Sequence, residues 1–327
     1  MPGFVTHYIF GREAFRDIRC VCPRDTRILK RNLFTNHSVY SLGQQGPDLF
    51  FYYPLSYVPQ GHNLGTLAHT RKTGAFFHGL MKCALSFADS CDRDIAESYL
   101  CGFLGHYILD TICHPYIYAM THYTEKCHSY FYRHAYLETD IDTSLLSIKL
   151  QRMPFAFRPA DTIFLSRKQK MVVAKLLQAA FCHAYPNLRI NESTMLLAIA
   201  SLRLAQRMLQ DDTGQKKAMM RLAERLLPGY PVVSPLFPSN DLFFHTDPFN
   251  LRRARWKNPW DKKSSSQETF FELYDKAEAI YLSRLAELCA IFHSEWDPEE
   301  RSSRIRAFLA EYGNRSFHSG LECSIPD

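Results

Sequence analysis

Residues 105–118 read GHYILDTICHPYIY, and the polar side chains in this otherwise apolar segment determine how the chain is interpreted. His106, Asp110 and His114 are spaced four residues apart, so a helix would carry all three side chains on one face. A carboxylate buried among apolar neighbours is costly unless it is paired or binds a metal. The segment therefore predicts a buried helix that carries a row of metal-ligating side chains.

A second predicted helix repeats this arrangement with His134 and Glu138, which are also four residues apart. Imidazole nitrogens and carboxylate oxygens are the ligands that zinc takes where cysteine is not used. One His–Asp pair would be explained by a buried hydrogen bond, but five such residues on two neighbouring helices favour a metal centre. Further candidates lie upstream: Asp48 in a Gly-Pro-Asp turn, His69 beside a glycine-rich turn, and His7 in the first predicted helix.

Three other metal-site signatures fit the sequence poorly. A di-iron carboxylate bundle needs Glu-x-x-His on two helices, and only residues 125–128 have that spacing. The sequence contains neither the adjacent His-Asp pair of HD-type phosphohydrolases nor the His-Glu-x-x-His of zincins. The rows of His, Asp and Glu therefore remain the basis of the interpretation.

The composition is that of a globular protein. The chain has 327 residues, of which 46% are hydrophobic and 22% charged, which excludes a disordered, collagen-like or coiled-coil chain. A net charge of +6 excludes a histone-like basic arm, and it neither excludes nor specially indicates nucleic acid as a partner.

With no recognisable secretory signal, the ten cysteines are expected to be free thiols in a cytoplasmic protein. Residues 98–120 are apolar, but their ionisable side chains argue against a transmembrane segment.

Helical periodicity covers most of the chain, and the alternation typical of strands is almost absent. The sequence predicts one all-α domain over residues 1–327, with a metal-site core at 2–140 and C-terminal helices with a lid at 150–327. The predicted helices span residues 5–19, 72–89, 93–119, 126–151, 167–184, 192–210, 214–226, 267–294 and 298–312.

Two segments are expected to be irregular because they are rich in glycine, proline and aromatic residues. They are residues 43–66 and residues 228–266, and the second is long enough to predict a functional loop or lid. Asn191 or Ser193 is expected to cap one helix, and Ser266 another.

Four segments of the chain resemble the zinc-dependent phospholipase C family. They are THYIFG at 6–11, QGPDLFFYY at 45–53, GHYILDTICHPYIY at 105–118, and the His-x-x-x-Glu of residues 134–138. Residues 228–262 also resemble the signal-less cytoplasmic branch of this family in bacteria. The family is all-α, includes phosphatidylcholine-cleaving enzymes, and is distantly related to zinc-dependent single-strand nucleases of fungi.

The resemblance implies a cluster of two or three zinc ions. The implied ligands of the first ion are Asp48, His69, His106 and Asp110. The implied ligands of the second ion are His114, His134 and Glu138.

A third ion is implied at the N-terminal end of the chain. Asp110 would bridge to it, and His7 and the N-terminal amine would complete its shell. Removal of Met1 would leave Pro2 as the residue that supplies this amine. His128 is an alternative to His134 at the second ion.

The implied activity is hydrolysis of a phosphodiester to a phosphomonoester and an alcohol. Two closely spaced zinc ions bind the phosphodiester and activate water, and Asp48 would orient or deprotonate that water. The substrate would be a phospholipid or a soluble phosphodiester. A single-strand nuclease or 3′-nucleotidase of the same fold, and a non-catalytic helical protein stabilised by zinc, are the alternatives.

Aromatic residues near the motifs are candidates for substrate contact, by cation–π interaction or by stacking on bases, although they could equally fill the core. These candidates are Phe51, Tyr53, Phe77 and Tyr118. The basic and aromatic residues at 252–263 are expected either to contact an anionic lipid surface or a phosphate backbone, or to form a solvated lid. A peripheral membrane surface and nucleic acid are therefore the two further candidate partners.

Overall fold

The computed structural model describes residues 3–18, 25–56, 63–123, 129–238, 247–261, 263 and 265–323. These residues form thirteen α-helices, and their only β-type pairings are two isolated bridges. The all-α prediction is therefore confirmed. In chain order the helices are α1 (Phe4–Asp17), α2 (Asp25–Thr35), α3 (His37–Gly43), α4 (Leu64–Thr70), α5 (Thr73–Ser86), α6 (Ser90–Met120), α7 (Tyr130–Leu150), α8 (Pro159–Thr162), α9 (Arg167–Ala184), α10 (Glu192–Met208), α11 (Gln215–Arg225), α12 (Phe270–His293) and α13 (Pro298–Tyr312).

The longest helix, α6, organises the fold. It packs against α3, α5, α9 and α12, and most of its 31 residues are buried. Asp89 caps its first turn by accepting a hydrogen bond from the backbone N–H of Asp92. Gly102 lets α3 approach closely, because a Cβ atom there would lie 2.3 Å from the carbonyl oxygen of Tyr40. The buried face of α6 thus carries its polar row into the interior.

The nine helices predicted from periodicity are all present, with ends displaced by a few residues. The sequence missed α2, α3, α4 and α8. Three of these contain only four to seven residues, which is too short for a repeat of 3.6 residues to stand out. α2 carries a usable apolar pattern and was overlooked; it buries Leu29 and Leu33, while Ile28 and Phe34 are exposed.

One of the two predicted helix caps is correct. The Asn191 side chain accepts a backbone N–H from the first turn of α10. Ser266 was expected to cap the helix that begins near residue 267, and this is wrong. Thr269 caps α12 instead, in a reciprocal arrangement in which Thr269 and Glu272 each accept the other's backbone N–H. A capping box of this kind satisfies two N–H groups at once.

The two segments expected to be irregular contain short structure. Residues 43–66 include a 3₁₀ turn at Gly46–Phe50 and the start of α4. The described parts of 228–266 include a 3₁₀ turn at Ser234–Leu236 and a bridge between Trp256 and Ser266. The Trp256 ring packs on Tyr116, so this tryptophan points towards the protein.

Two further observations concern the described residues as a whole. None of their helices combines the length and apolar character needed to cross a bilayer. No cysteine among them is in a disulfide bond, as the sequence predicts; Cys20, Cys22 and Cys127 lie outside the described residues. The cytoplasmic location stays a prediction.

Candidate metal centre

Asp110 of α6 lies at the middle of the candidate metal centre and is fully buried. Four imidazoles surround its carboxylate. His7 Nε2 lies 3.1 Å from the Oδ1 atom of Asp110. Three imidazoles face the Oδ2 atom: His106 Nε2 at 3.1 Å, His114 Nδ1 at 3.5 Å and His69 Nε2 at 3.9 Å. The structure thus brings the polar row of α6 together with residues from α1 and α4.

The second helix adds its own ligand group. His134 Nε2 lies 2.6 Å from Glu138 Oε1, and His114 Nε2 lies 3.6 Å from the same oxygen. His114, His134 and Glu138 are all buried, and each offers one donor atom within 4.8 Å of those of the other two. This is the group that the sequence expects at a second ion.

Asp48 joins the centre from the 3₁₀ turn at Gly46–Phe50. Its Oδ1 atom lies 3.0 Å from His69 Nε2, and it also forms a group with His7 and His106 whose donor atoms lie within 4.8 Å of one another. Gly46 has a φ of +48° and lies against the His106 ring. The backbone conformation at this turn therefore favours glycine and sets the position of Asp48.

Backbone carbonyl groups orient three of the imidazoles. The Nδ1–H group of His69 donates a hydrogen bond to the carbonyl oxygen of Gly65 at 2.7 Å. In the same way, His106 donates to the carbonyl oxygen of Gln44 at 3.0 Å, and His114 donates to that of Phe317 at 2.8 Å. Because a carbonyl oxygen can only accept, each Nδ1 carries a proton, and in the neutral ring Nε2 keeps its lone pair. Metal-ligating histidines are held in this way by their outer neighbours.

The inner polar atoms lack hydrogen bonds. An imidazole Nε2 lone pair and a carboxylate oxygen are both acceptors, so at about 3 Å they repel each other unless a proton or a cation lies between them. Among the described residues, no hydrogen-bond partner exists for the following buried atoms: His7 Nδ1 and Nε2, Asp48 Oδ1, His69 Nε2, His106 Nε2, Asp110 Oδ1 and Oδ2, and His114 Nε2. Leaving so many polar atoms unsatisfied would be costly. Divalent zinc fits this donor set.

A second buried cluster elsewhere in the protein shows the contrast. Glu97 of α6 lies beside Cys289 and His293 of α12. Both of its carboxylate oxygens accept hydrogen bonds, from His293 Nε2 at 2.7 Å and from Asn32 Nδ2 at 2.9 Å. Hydrogen bonds therefore explain how the Glu97 carboxylate can be buried, whereas they do not explain the burial of the Asp110 carboxylate.

The imidazoles of the centre keep the carboxyl groups of Asp110 and Asp48 ionised. Burial raises the pKa of Asp110, but the imidazoles of His106, His114 and His7 outweigh burial and hold that pKa well below its usual range. In the same way, His106 and His69 outweigh burial at Asp48 and lower the pKa of that carboxyl group. Burial lowers the pKa of His114, which leaves that imidazole neutral and able to bind a metal.

The C-terminal loop, residues 313–323, contributes a contact that the sequence did not predict. The backbone N–H of Phe317 donates to the carbonyl oxygen of His69, and its own carbonyl accepts from His114. Its ring lies 4.9 Å from the His69 ring and 5.6 Å from the His106 ring. The next residue, His318, lies 5.5 Å from the His69 ring. No spacing in the sequence links these residues to the ligands.

Asp142 is a second residue that sequence reasoning missed. Its carboxylate accepts hydrogen bonds from the backbone N–H groups of Val5 and Thr6 and from the Thr6 hydroxyl. These bonds fix the first turn of α1, and therefore His7, against α7. A signal was present, because Asp142 continues the four-residue spacing of His134 and Glu138.

The aromatic candidates divide into two groups. Phe51 lies 5.2 Å from the His69 ring, and Tyr118 lies 5.8 Å from the His114 ring, so both border the centre. Tyr53 is buried. Phe77 is fully buried and stacks on Tyr312 in the core, so the structure gives no support to a substrate contact for this residue.

Pro2 and His128 lie outside the described residues. The N-terminal amine as a ligand of a third ion, and His128 as an alternative to His134, therefore stay predictions.

The fold is helical and the donor atoms of the centre fit divalent zinc, and comparison with known families gives the class. Residues 6–183 match the family described as "Zinc dependent phospholipase C", and this match covers more than half of the chain. The chain therefore belongs to the zinc-dependent phospholipase C family. No curated protein and no solved structure gave a match. The candidate ligands from His7 to Glu138 lie within the matched residues.

Proposed function

We propose that this chain is a zinc-dependent phosphodiesterase that hydrolyses a phosphodiester to a phosphomonoester and an alcohol. The observation that carries the proposal is the buried Asp110 carboxylate, which lies within 4 Å of four imidazoles and has no hydrogen-bond partner among the described residues. Structural zinc sites usually have closed shells that often include cysteine. A centre rich in carboxylate and imidazole, with residues shared between neighbouring groups, is more typical of a catalytic cluster.

Two or three zinc ions would be held by the groups described above. Asp48, His69, His106 and Asp110 would hold one ion, and His114, His134 and Glu138 a second. His7, whose Nε2 atom lies 3.1 Å from Asp110 Oδ1, would share Asp110 with a third. When bound, zinc polarises a phosphoryl oxygen and makes water nucleophilic at neutral pH.

The chain's own residues orient the reacting groups. Asp48 Oδ1 is buried 3.0 Å from His69 Nε2 and has no hydrogen-bond partner among the described residues, so its carboxylate is placed to orient the attacking water or to accept its proton. Phe51 and Tyr118 border the centre on two sides. We assign them to contact with the alcohol portion of the substrate, by packing against their rings.

Metal content and turnover of a generic bis-aryl phosphodiester test the proposal together. The wild type is expected to hold two or three zinc ions per chain, to lose turnover on chelation, and to regain it when zinc is restored. Asp110→Asn should lose zinc and nearly all turnover. Glu97→Gln is the matched control, because Glu97 is equally buried on the same helix in a cluster outside the centre.

Two results would contradict the proposal. A zinc-loaded protein with no turnover would make the metal structural. Cleavage of single-stranded DNA in strong preference to the generic diester and to phosphatidylcholine in micelles would favour the nuclease alternative.

A further inference from the structure

Helix α11 exposes apolar side chains to an unusual degree. All eleven of its residues are exposed or half-buried. Met219, Leu222 and Leu226, which immediately follows the helix, are 71%, 62% and 82% exposed. Their spacing of three and four residues places them on one face of the helix.

The opposite face of α11 is polar, and it attaches the helix to the rest of the protein. The Glu224 carboxylate accepts hydrogen bonds from the backbone N–H groups of Val232, Val233 and Ser234. Lys217 Nζ lies over the Tyr136 ring of α7 at 5.8 Å. A surface helix ordinarily turns its apolar face to the core and its polar face to solvent. In α11 the orientation is reversed.

The apolar surface extends beyond α11 at both ends. Leu227, Tyr230 and Val232 follow the helix and are exposed. Met208, at the end of α10, is also exposed, and its carbonyl oxygen accepts a hydrogen bond from Lys216 Nζ in the first turn of α11. Single exposed apolar residues are ordinary, but a contiguous patch marks an interaction surface. We call this patch the α11 surface (residues 208 and 215–233).

The charges on α11 identify the kind of partner. Four of its residues are basic, and its only acidic residue, Glu224, is occupied on the inner face. Lys216, Arg221 and Arg225 are exposed. Lys216 also donates to the carbonyl oxygen of Gln210, and Arg221 to the Tyr136 hydroxyl, so Arg225 is the cation best placed to meet a partner. Two copies of this chain joined through the same surface would bring these cations together, which is unfavourable. Lipid phosphates would neutralise them while the apolar side chains enter the acyl region.

The α11 surface is continuous with the metal centre. The 3₁₀ turn at Ser234–Leu236 follows it directly, and Thr139, the neighbour of Glu138, donates a hydrogen bond to the Pro235 carbonyl at 2.8 Å. A cavity of about 90 Å³ beside this turn is lined by Glu138 and Leu236. We infer that the α11 surface docks on an anionic lipid bilayer with α11 lying in the plane of the interface.

This inference concerns binding and does not depend on turnover. Only its consequence, delivery of a lipid phosphodiester to the metal centre, rests on the proposed function.

Vesicle sedimentation of the zinc-loaded full-length protein tests the inference. The vesicles contain phosphatidylcholine with about a third phosphatidylserine, or phosphatidylcholine alone. The wild type should bind the anionic vesicles, with the bound fraction falling as salt rises. Leu222→Gln with Leu226→Gln should weaken binding roughly a hundredfold, because two apolar side chains no longer enter the membrane. Arg225→Gln, which removes a single exposed cation, should weaken it about fivefold.

The matched control is Phe34→Gln, since Phe34 is 71% exposed on α2 but lies outside the α11 surface. This variant should bind vesicles like the wild type. All variants should keep zinc and hydrolyse a soluble diester like the wild type, so a failure of docking is distinguished from a failure of catalysis. Wild-type protein that stays in the supernatant with anionic vesicles would overturn the inference. So would a dimer in solution that the leucine double variant dissociates, because a second copy would then cover the surface.

Discussion

Gly46 lies against the imidazole of His106, and a Cβ atom at position 46 would lie 2.2 Å from Cδ2 of that ring. Gly46→Ala should therefore displace His106 and weaken zinc binding. It should also lower the free energy of unfolding by about 1–3 kcal/mol, because alanine tolerates the φ of +48° poorly. Zinc titration and denaturant unfolding of the same preparation measure both effects.

Gly214→Ala is the control for backbone strain. Gly214 has a φ of +75°, and no described heavy atom lies within 4 Å of a Cβ placed there. The Gly214→Ala variant should therefore have a lower free energy of unfolding than the wild type but the same zinc affinity. Equal zinc affinity in the two variants would show that contact with His106 does not matter.

Removal of zinc should destabilise the protein as well as inactivate it. Without a cation, the carboxylate of Asp110 and the surrounding Nε2 atoms remain buried without hydrogen bonds, and a ligand that binds only the folded state stabilises it. Calorimetry with and without chelator should show a fall in Tm of about 5 °C or more. Asp110→Asn should show a much smaller chelator effect. An unchanged wild-type Tm would argue against metal in the centre.

Asp142 should make stability fall as the pH rises. Burial raises its pKa from 3.8 to about 7, so the folded protein holds a proton that the unfolded chain has released between these values. The contribution of this bound proton to the free energy of unfolding is present in full below pH 4. It is lost as the pH rises towards 7, by up to about 1.4 kcal/mol per pH unit. Denaturant unfolding of chelated protein at several pH values should show this slope in the wild type. The slope should be smaller in Asp142→Asn, and identical slopes would contradict the assignment.

Phe317→Ala should weaken zinc binding several-fold, because the ring that packs on His69 and His106 is lost while the backbone carbonyl that orients His114 is kept. It should also cost about 3–5 kcal/mol of stability, as for other buried phenylalanines. Phe308→Ala separates the two effects, because Phe308 is equally buried but packs on Phe77. Zinc affinity measured by competition with a coloured chelator should fall only in Phe317→Ala. A similar fall in both variants would reduce the role of Phe317 to general packing.

The sequence predicts those parts of the centre that depend on local geometry. His106, Asp110 and His114 could be grouped because four residues make about one helical turn, and the same rule groups His134 with Glu138. Sequence spacing does not predict contacts set by the path of the chain. Phe317 reaches His114 across 203 positions, and no periodicity encodes that meeting.

The fold shows the same division. The periodicity predicts long helices such as α6 and α12, whereas α3, which ends next to Gln44, and α4, which contains His69, are too short to produce a pattern. The sequence predicts α11 as a helix. Its periodicity shows which residues share the apolar face, but not whether that face lies against the protein or towards solvent. That direction comes from the bonds of Glu224.

The position of Phe317 in the sequence sets an order of events during translation. The ribosome makes every candidate ligand from His7 to Glu138 long before it makes Phe317. Until then His114 lacks the carbonyl that orients it, and the rings of His69 and His106 lack their cover. A nascent chain can gather its imidazoles and carboxylates early, but it can complete their arrangement only after Phe317 has been made. The final geometry of the candidate metal centre therefore depends on a segment made well after its own ligands.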